Sequence, residues 1–171
     1  MTALPGRCAR ATLACLHWLA RCQYKLTSVS ASQISVPPRL VLRAPLRRSS
    51  SGSGAFLGLA SDGQQYWVKA PGNPQGSRTL IAEMVAYGLG RMIGAPVPDN
   101  ALIEIPASFD WTYAEAHRLR GGTGHGSLNV DDVVVADEWG TYSRLDDNRR
   151  RQALILAIWG PLHGRRPAVA A

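Results

Sequence analysis

Lys69 and Glu83 are the two residues of this sequence whose types and neighbourhood suggest joint chemistry. Glu83 lies on a segment, Ser77 to Ile93, that reads as a helix, and it is the only carboxylate between Asp62 and Asp99. The apolar arc of that helix (Leu80, Ile81, Met84, Val85, Leu89, Met92, Ile93) leaves a narrow remaining face of mostly small residues, Thr79, Ala82, Ala86 and Gly90. A helix of this kind packs closely on more than one side. A carboxylate beside its small face then needs a cationic or hydrogen-bonding partner to offset desolvation. Arg78 and Arg91 stand five and eight residues from Glu83, outside the three or four that makes helix residues neighbours. Lys69 ends a strand just before the helix, and a strand packed on the helix brings its ammonium to Glu83. The competing reading leaves Lys69 solvated at a strand end and Glu83 on the surface.

Other candidate sites are weaker. Gly121-Gly-Thr-Gly-His-Gly126 imitates a phosphate-cradling loop, but it has neither a strand before it nor a helix directly after it, so a dinucleotide site is excluded. His125 within it reads as structural or loop-lining rather than catalytic. The four histidines (His17, His117, His125, His163) lack metal-ligand spacing. Cys8, Cys15 and Cys22 are the only cysteines, spaced along one side of a helix, and they offer neither a zinc pattern nor a disulfide framework for the rest of the chain.

The elements that must position Lys69 and Glu83 follow from local signals. Arg39 to Arg43 reads as a short strand. Ser49 to Gly54 is a Gly/Ser segment, with a plain linker as its alternative. Ala55–Ala60 and Gln65–Lys69 flank Ser61-Asp62-Gly63, a hairpin turn signal that predicts two antiparallel strands. Pro71 to Gly76 forbids regular structure. Ser77 can then cap the helix, which Gly94 and Pro96 stop. Ala101–Ile105 is strand-like, Val133–Ala136 is a further short strand candidate, and Arg149–Trp159 is a helix with Leu154, Ile155 and Ile158 on its apolar side.

The 171 residues carry a formal charge of +7, with 46% hydrophobic and 18% charged residues. That composition suits a packed core and one domain. The charge is uneven: residues 1–61 hold eight Lys or Arg and no acid, and the remainder holds eleven basic against twelve acidic residues. The basic character therefore belongs to an arm. No stretch reaches the roughly 18 consecutive apolar residues of a membrane span, and the start lacks the apolar run of a secretory signal. The body reads as cytoplasmic.

Taken together, Asp62-Gly63, Tyr66-Trp-Val-Lys69, Asn73-Pro-Gln-Gly76, Glu83, Gly94 with Pro96-Val-Pro98, and Gly124-His-Gly-Ser127 resemble the HipA-like kinases, a bacterial branch of the protein-kinase-like fold. The resemblance covers about residues 38–159. It implies that Lys69 holds the phosphates of ATP and that Glu83 orients it. The turn at Ser51 to Ala55 would cover those phosphates, Ser53 and Gly54 joining the cofactor-binding set. In this family the segment around His125 resembles a connection within the small lobe. The fold expected is α+β: a small antiparallel sheet with one packed helix, resembling the N-terminal lobe of a protein-kinase-like fold, plus a partial helical second lobe.

The sequence departs from the family in two places. The catalytic Asp with its Asn, and the Asp for magnesium, cannot be assigned; Asp146 and Asp147 precede the last helix, the wrong side for those roles. Residues 160–171 turn abruptly to Arg, Pro and Ala, and shifting the codons from His163 by one nucleotide permits a string similar to the family's continuation. The expectation is a truncated or frameshifted member: a basic extension over 1–37, the N-terminal part of a kinase domain over 38–159, and an aberrant tail over 160–171. Such a chain binds ATP, pairs with a protein substrate or partner, and lacks magnesium ligands and phosphotransfer. An incomplete kinase also leaves the flank of the Leu80–Ile93 helix and Trp159 exposed. The alternatives are a non-catalytic interaction module and a nucleic-acid binder using the basic arm. The nucleic-acid reading ranks below the others, because the arm's basic and aromatic residues alternate irregularly.

Overall fold

The computed structural model describes residues 36–49, 54–113, 117–131, 133, 142–145 and 147–162. The cysteines, the basic stretch before residue 36, Ser51 to Ser53 and the tail from residue 163 lie outside the described residues, as does most of the Val133–Ala136 strand candidate.

Among the described residues the elements are, in order, β1 (Arg39–Arg48), β2 (Phe56–Ala60), β3 (Gln65–Lys69), α1 (Arg78–Met92), β4 (Asn100–Ile105), β5 (Thr112–Tyr113), β6 (His117–Arg118), β7 (Gly122–Leu128) and α2 (Asn148–Leu162). The β2–β3 hairpin turns where Asp-Gly predicts. Gly63 adopts φ 81°, its N–H reaches the Ala60 carbonyl at 3.0 Å, and the Gln64 N–H donates to the Asp62 carboxylate at 3.0 Å.

The α+β class holds, but the sheet is a closed five-stranded barrel in the order β1-β2-β3-β7-β4. Four of its pairings are antiparallel, and the closing pair of β1 with β4 is parallel. The expected short strand at Arg39–Arg43 continues to Arg48. Register irregularities between Leu42 and Ala44 and between Pro45 and Arg47 bend β1, so that its first half joins β4 and its second half joins β2. Closure removes the exposed strand edges that a flat sheet would present.

Alternation decides what faces inward. Leu42, Phe56, Ala60, Tyr66, Val68, Ala101, Ile103 and Ile105 fill the barrel together with Tyr113. Phe56, Val68 and Ile103 are fully buried, each contributing about 1.5–3 kcal/mol of apolar transfer free energy. Trp111 meets the ring of Phe56 edge-on at 5.1 Å.

Gly122 to Gly126 are no connection: they belong to β7, between β3 and β4. A Cβ on Gly124 would sit 2.6 Å from the Lys69 carbonyl oxygen, and one on Gly126 would sit 2.7 Å from Cγ1 of Ile103. The glycines that imitate a phosphate loop are there to let strands and side chains of the barrel approach closely.

One expectation for α1 fails. Ser77 occupies the N-cap position with helical backbone angles (φ −64°, ψ −27°) and makes no side-chain capping bond. The helix does pack on more than one element, as expected, but it is not buried all round. It packs on β7 and α2, burying Glu83 and Gly90, and it leaves Ile81, Val85, Leu89, Met92 and Ile93 exposed. Of the small face, Gly90 is buried, Thr79 and Ala86 are half-buried and Ala82 is exposed, and the buried Glu83 between them meets Lys69. Most of the apolar arc is exposed, with Leu80 and Met84 half-buried. On α2, Ile155 and Ile158 are buried and Leu154 is half-buried, as its periodicity implies. Ile158 joins Ala95, Val97 and Tyr87 in a second, smaller apolar cluster.

Candidate active site

Lys69 is the last residue of β3, on the face opposite Tyr66 and Val68 and therefore outside the barrel. Its Nζ donates to Oε1 of Glu83 at 2.6 Å, with both side chains buried. Burial at this degree requires such pairing, since a lone charge there would be strongly desolvated. Oε1 of Gln75 accepts a second, longer bond from the same Nζ at 3.4 Å. An ammonium has three N–H donors, so among the described residues one remains for an incoming anion.

The loop between β3 and α1 ties this lysine to the turn before β2. Asn73 is buried, and its Nδ2 donates to the Gly54 carbonyl at 3.0 Å, while its Oδ1 accepts from the Gln75 N–H at 2.9 Å. Gly54 has φ 60°, a left-handed conformation that glycine adopts without strain. The Ser49 N–H reaches the Ala55 carbonyl at 3.0 Å and closes the base of the turn. Gly54 is thus held beside the Lys69 loop. Ser53 lies outside the described residues.

On the other side of Lys69 stands His125 of β7, its direct cross-strand partner. The imidazole is 4% exposed, and its Nε2 has no hydrogen-bond partner among the described residues. Burial holds its pKa below the ordinary histidine value; the positive Lys69 lowers it further, and Glu83 opposes both. Trp67, two residues before Lys69 on the same outer face, donates its indole N–H to Asn129 at 3.0 Å and carries the Arg47 guanidinium over its ring at 5.4 Å.

A family model described as HipA-like kinase matches residues 44–160, more than half of the chain. The chain belongs to the HipA-like kinase family. Searches of curated proteins and of solved structures each return no match. Within this HipA-like kinase, the sequence names Lys69, Glu83 and Gly54, and the fold brings all three to one end of β3. Asn73 and Gln75 were missed as contributors. They belong to a motif that sequence reading picks out, yet no spacing rule connects Asn73 to Gly54, nineteen residues earlier. No helix among the described residues is long and apolar enough to cross a membrane.

Proposed function

We propose that this chain is the ATP-binding portion of a HipA-like serine/threonine kinase, with Lys69 holding the nucleotide phosphates and Glu83 orienting Lys69. The observation that carries the reading is the buried 2.6 Å pair at the end of β3, placed beside a turn whose base Asn73 pins. The donor set suits an anion: a fixed ammonium with one N–H to spare among the described residues, with Gly54 held beside its loop. When bound, ATP would supply the phosphoryl group; the chain's own part is to hold and orient that group. On this reading residues 38–159 are the kinase-like part, flanked by a basic extension over 1–37 and an aberrant tail over 160–171.

Among the described residues, no group of three or more His, Cys, Asp or Glu side chains is placed to hold a metal ion. Phosphoryl transfer depends on positioning and on metal neutralisation of developing charge. The function proposed is nucleotide binding; that this chain lacks phosphotransfer is part of the proposal and rests on the sequence, where the catalytic Asp, its Asn and the magnesium Asp have no assignable match and Asp146 and Asp147 precede the last helix.

Lys25 and Lys69 are the only lysines in the sequence, which makes a direct test simple. A lysine-reactive acyl phosphate of ATP should acylate Lys69, and excess ATP should protect it, with Lys25 as the internal control read by peptide mass spectrometry. Equal labelling of both lysines, or labelling of Lys69 that ATP does not reduce, would overturn the assignment.

A further inference from the structure

His125 has not been given a task by the nucleotide-binding reading, although it shares the buried slot of the Lys69–Glu83 pair. The slot is bounded by β3, β4, β7 and α1. From β3 the charged neighbour is Lys69, its cross-strand partner, and from α1 it is Glu83, paired with Lys69; both charges act on the imidazole. From β4 the cross-strand partner of His125 is Leu102, which carries no charge. The imidazole is therefore placed alongside a paired cation and carboxylate, and its Nε2 is buried without a partner among the described residues. A ring placed there for packing alone would leave that nitrogen's desolvation uncompensated.

We propose that His125 is a positioning residue for Lys69: as a neutral imidazole it leaves Glu83 to Lys69, and on taking up a proton it competes with Lys69 for that carboxylate. In the neutral state the slot holds one cation and one carboxylate, and Lys69 is held in one place. In the protonated state two cations share Glu83, and the fixed geometry of the ammonium is lost. Burial and the neighbouring ammonium hold the titration below the ordinary histidine range, so the neutral state prevails at pH 7 and above. The consequence for ATP rests on the nucleotide reading above. If only the neutral state binds, apparent affinity falls by up to about tenfold per pH unit once the pH is below the His125 pKa, because the competent fraction shrinks by that factor.

The test separates the two claims by first reading Lys69 without nucleotide. With lysine labelled at Cε and Nζ, the nucleotide-free chain has two lysine signals to follow from pH 8 to pH 5. The Lys69 signal should show an inflection at the same pH as the His125 imidazole. Lys25 should show none, and His125→Gln should abolish the Lys69 inflection. A flat Lys69 signal, an inflection at a different pH from that of His125, or an inflection that survives His125→Gln would overturn the proposal. The comparison of the two inflections needs only the wild-type chain, so the test stands even if His125→Gln does not fold. A second arm titrates a fluorescent ATP analogue over the same pH range. Wild type should lose affinity more steeply toward acid than His125→Gln, a comparison that cancels the nucleotide's own titration. Parallel profiles would overturn the proposal. Failure of the wild type to bind the analogue at any pH would overturn the nucleotide reading, while the lysine signals would still decide the role of His125.

Discussion

Lys69 is 5% exposed and Glu83 9%, so neither charge can be deleted without leaving the other in a dry slot. Removing one partner of a buried pair costs about 3–5 kcal/mol, whereas replacing both with apolar residues of similar volume is often neutral. Lys69→Met should lower the urea-unfolding free energy by about that amount, and combining it with Glu83→Leu should restore most of the loss. Losses that simply add would show that the two groups are not coupled. For nucleotide affinity the expected order is different. Glu83→Gln keeps the ammonium and should weaken binding of a fluorescent ATP analogue less than Lys69→Met, which removes the point charge. A larger loss with Glu83→Gln would reverse the two roles. His125 adds a pH dependence of stability. Its folded pKa lies below the ordinary value of 6.5, so the unfolded chain takes up the proton more readily. Its contribution is fully present above about pH 6.5 and is lost as the pH falls toward the lowered folded value. Melting temperatures should therefore drop more steeply below pH 6.5 in wild type than in His125→Gln, and identical slopes would contradict this.

At the scale of elements, α1 carries two interior glycines with opposite surroundings. A Cβ on Gly88 would meet nothing within 4 Å, whereas one on Gly90 would lie 2.6 Å from Cγ1 of Val97 and 3.3 Å from Cδ1 of Ile158. Helix propensity alone favours alanine at both by roughly 0.5–1 kcal/mol. Gly88→Ala should realise that gain. Gly90→Ala should instead destabilise by about 1–3 kcal/mol, because it forces the segment before β4 and α2 away from α1. Urea midpoints of the two variants check this, and a stabilised Gly90→Ala would mean that the α1–α2 contact is loose. The same close approach explains β7. Its glycines face the barrel interior, where Ile103 and Ile105 occupy the space a side chain would need.

For the whole molecule, the surface of α1 is the main consequence. Ile81 is 66% exposed and Met92 63%, at opposite ends of a stripe that also includes Val85 and Leu89. Contiguous apolar surface of this kind promotes association. Ile81→Gln with Met92→Gln should shift the chain toward monomer in light scattering coupled to size exclusion, with little change in melting temperature, since exposed substitutions usually act within about 0.5 kcal/mol. An unchanged distribution would show that another surface associates. The activity expected of the chain is equally specific. With labelled ATP and magnesium, phosphate incorporation into itself or a generic substrate should stay at background. Incorporation that depends on Lys69 would require a catalytic base among Asp131, Asp132, Asp137, Asp146 or Asp147.

Local order in this chain was written in local signals. The Asp62-Gly63 hairpin, the extent of α1, the apolar side of α2 and the pairing suggested for Lys69 with Glu83 each depend on residues within about one element of each other, where turn chemistry and helical period act directly. The family, too, was legible from motifs spread over 62–127. Tertiary structure alone decided the rest. The run Gly121–Gly126 imitates a phosphate loop in sequence, and only the closed barrel makes Gly122 to Gly126 part of a strand. Helical period does not say which side of α1 goes inward; the fold buries Glu83 and Gly90 and leaves Ile81, Val85, Leu89, Met92 and Ile93 exposed. Asn73 reaches Gly54, and His125 meets Lys69, across separations of 19 and 56 residues. Contacts of that range depend on how strands register in space, and no periodicity along the chain encodes them.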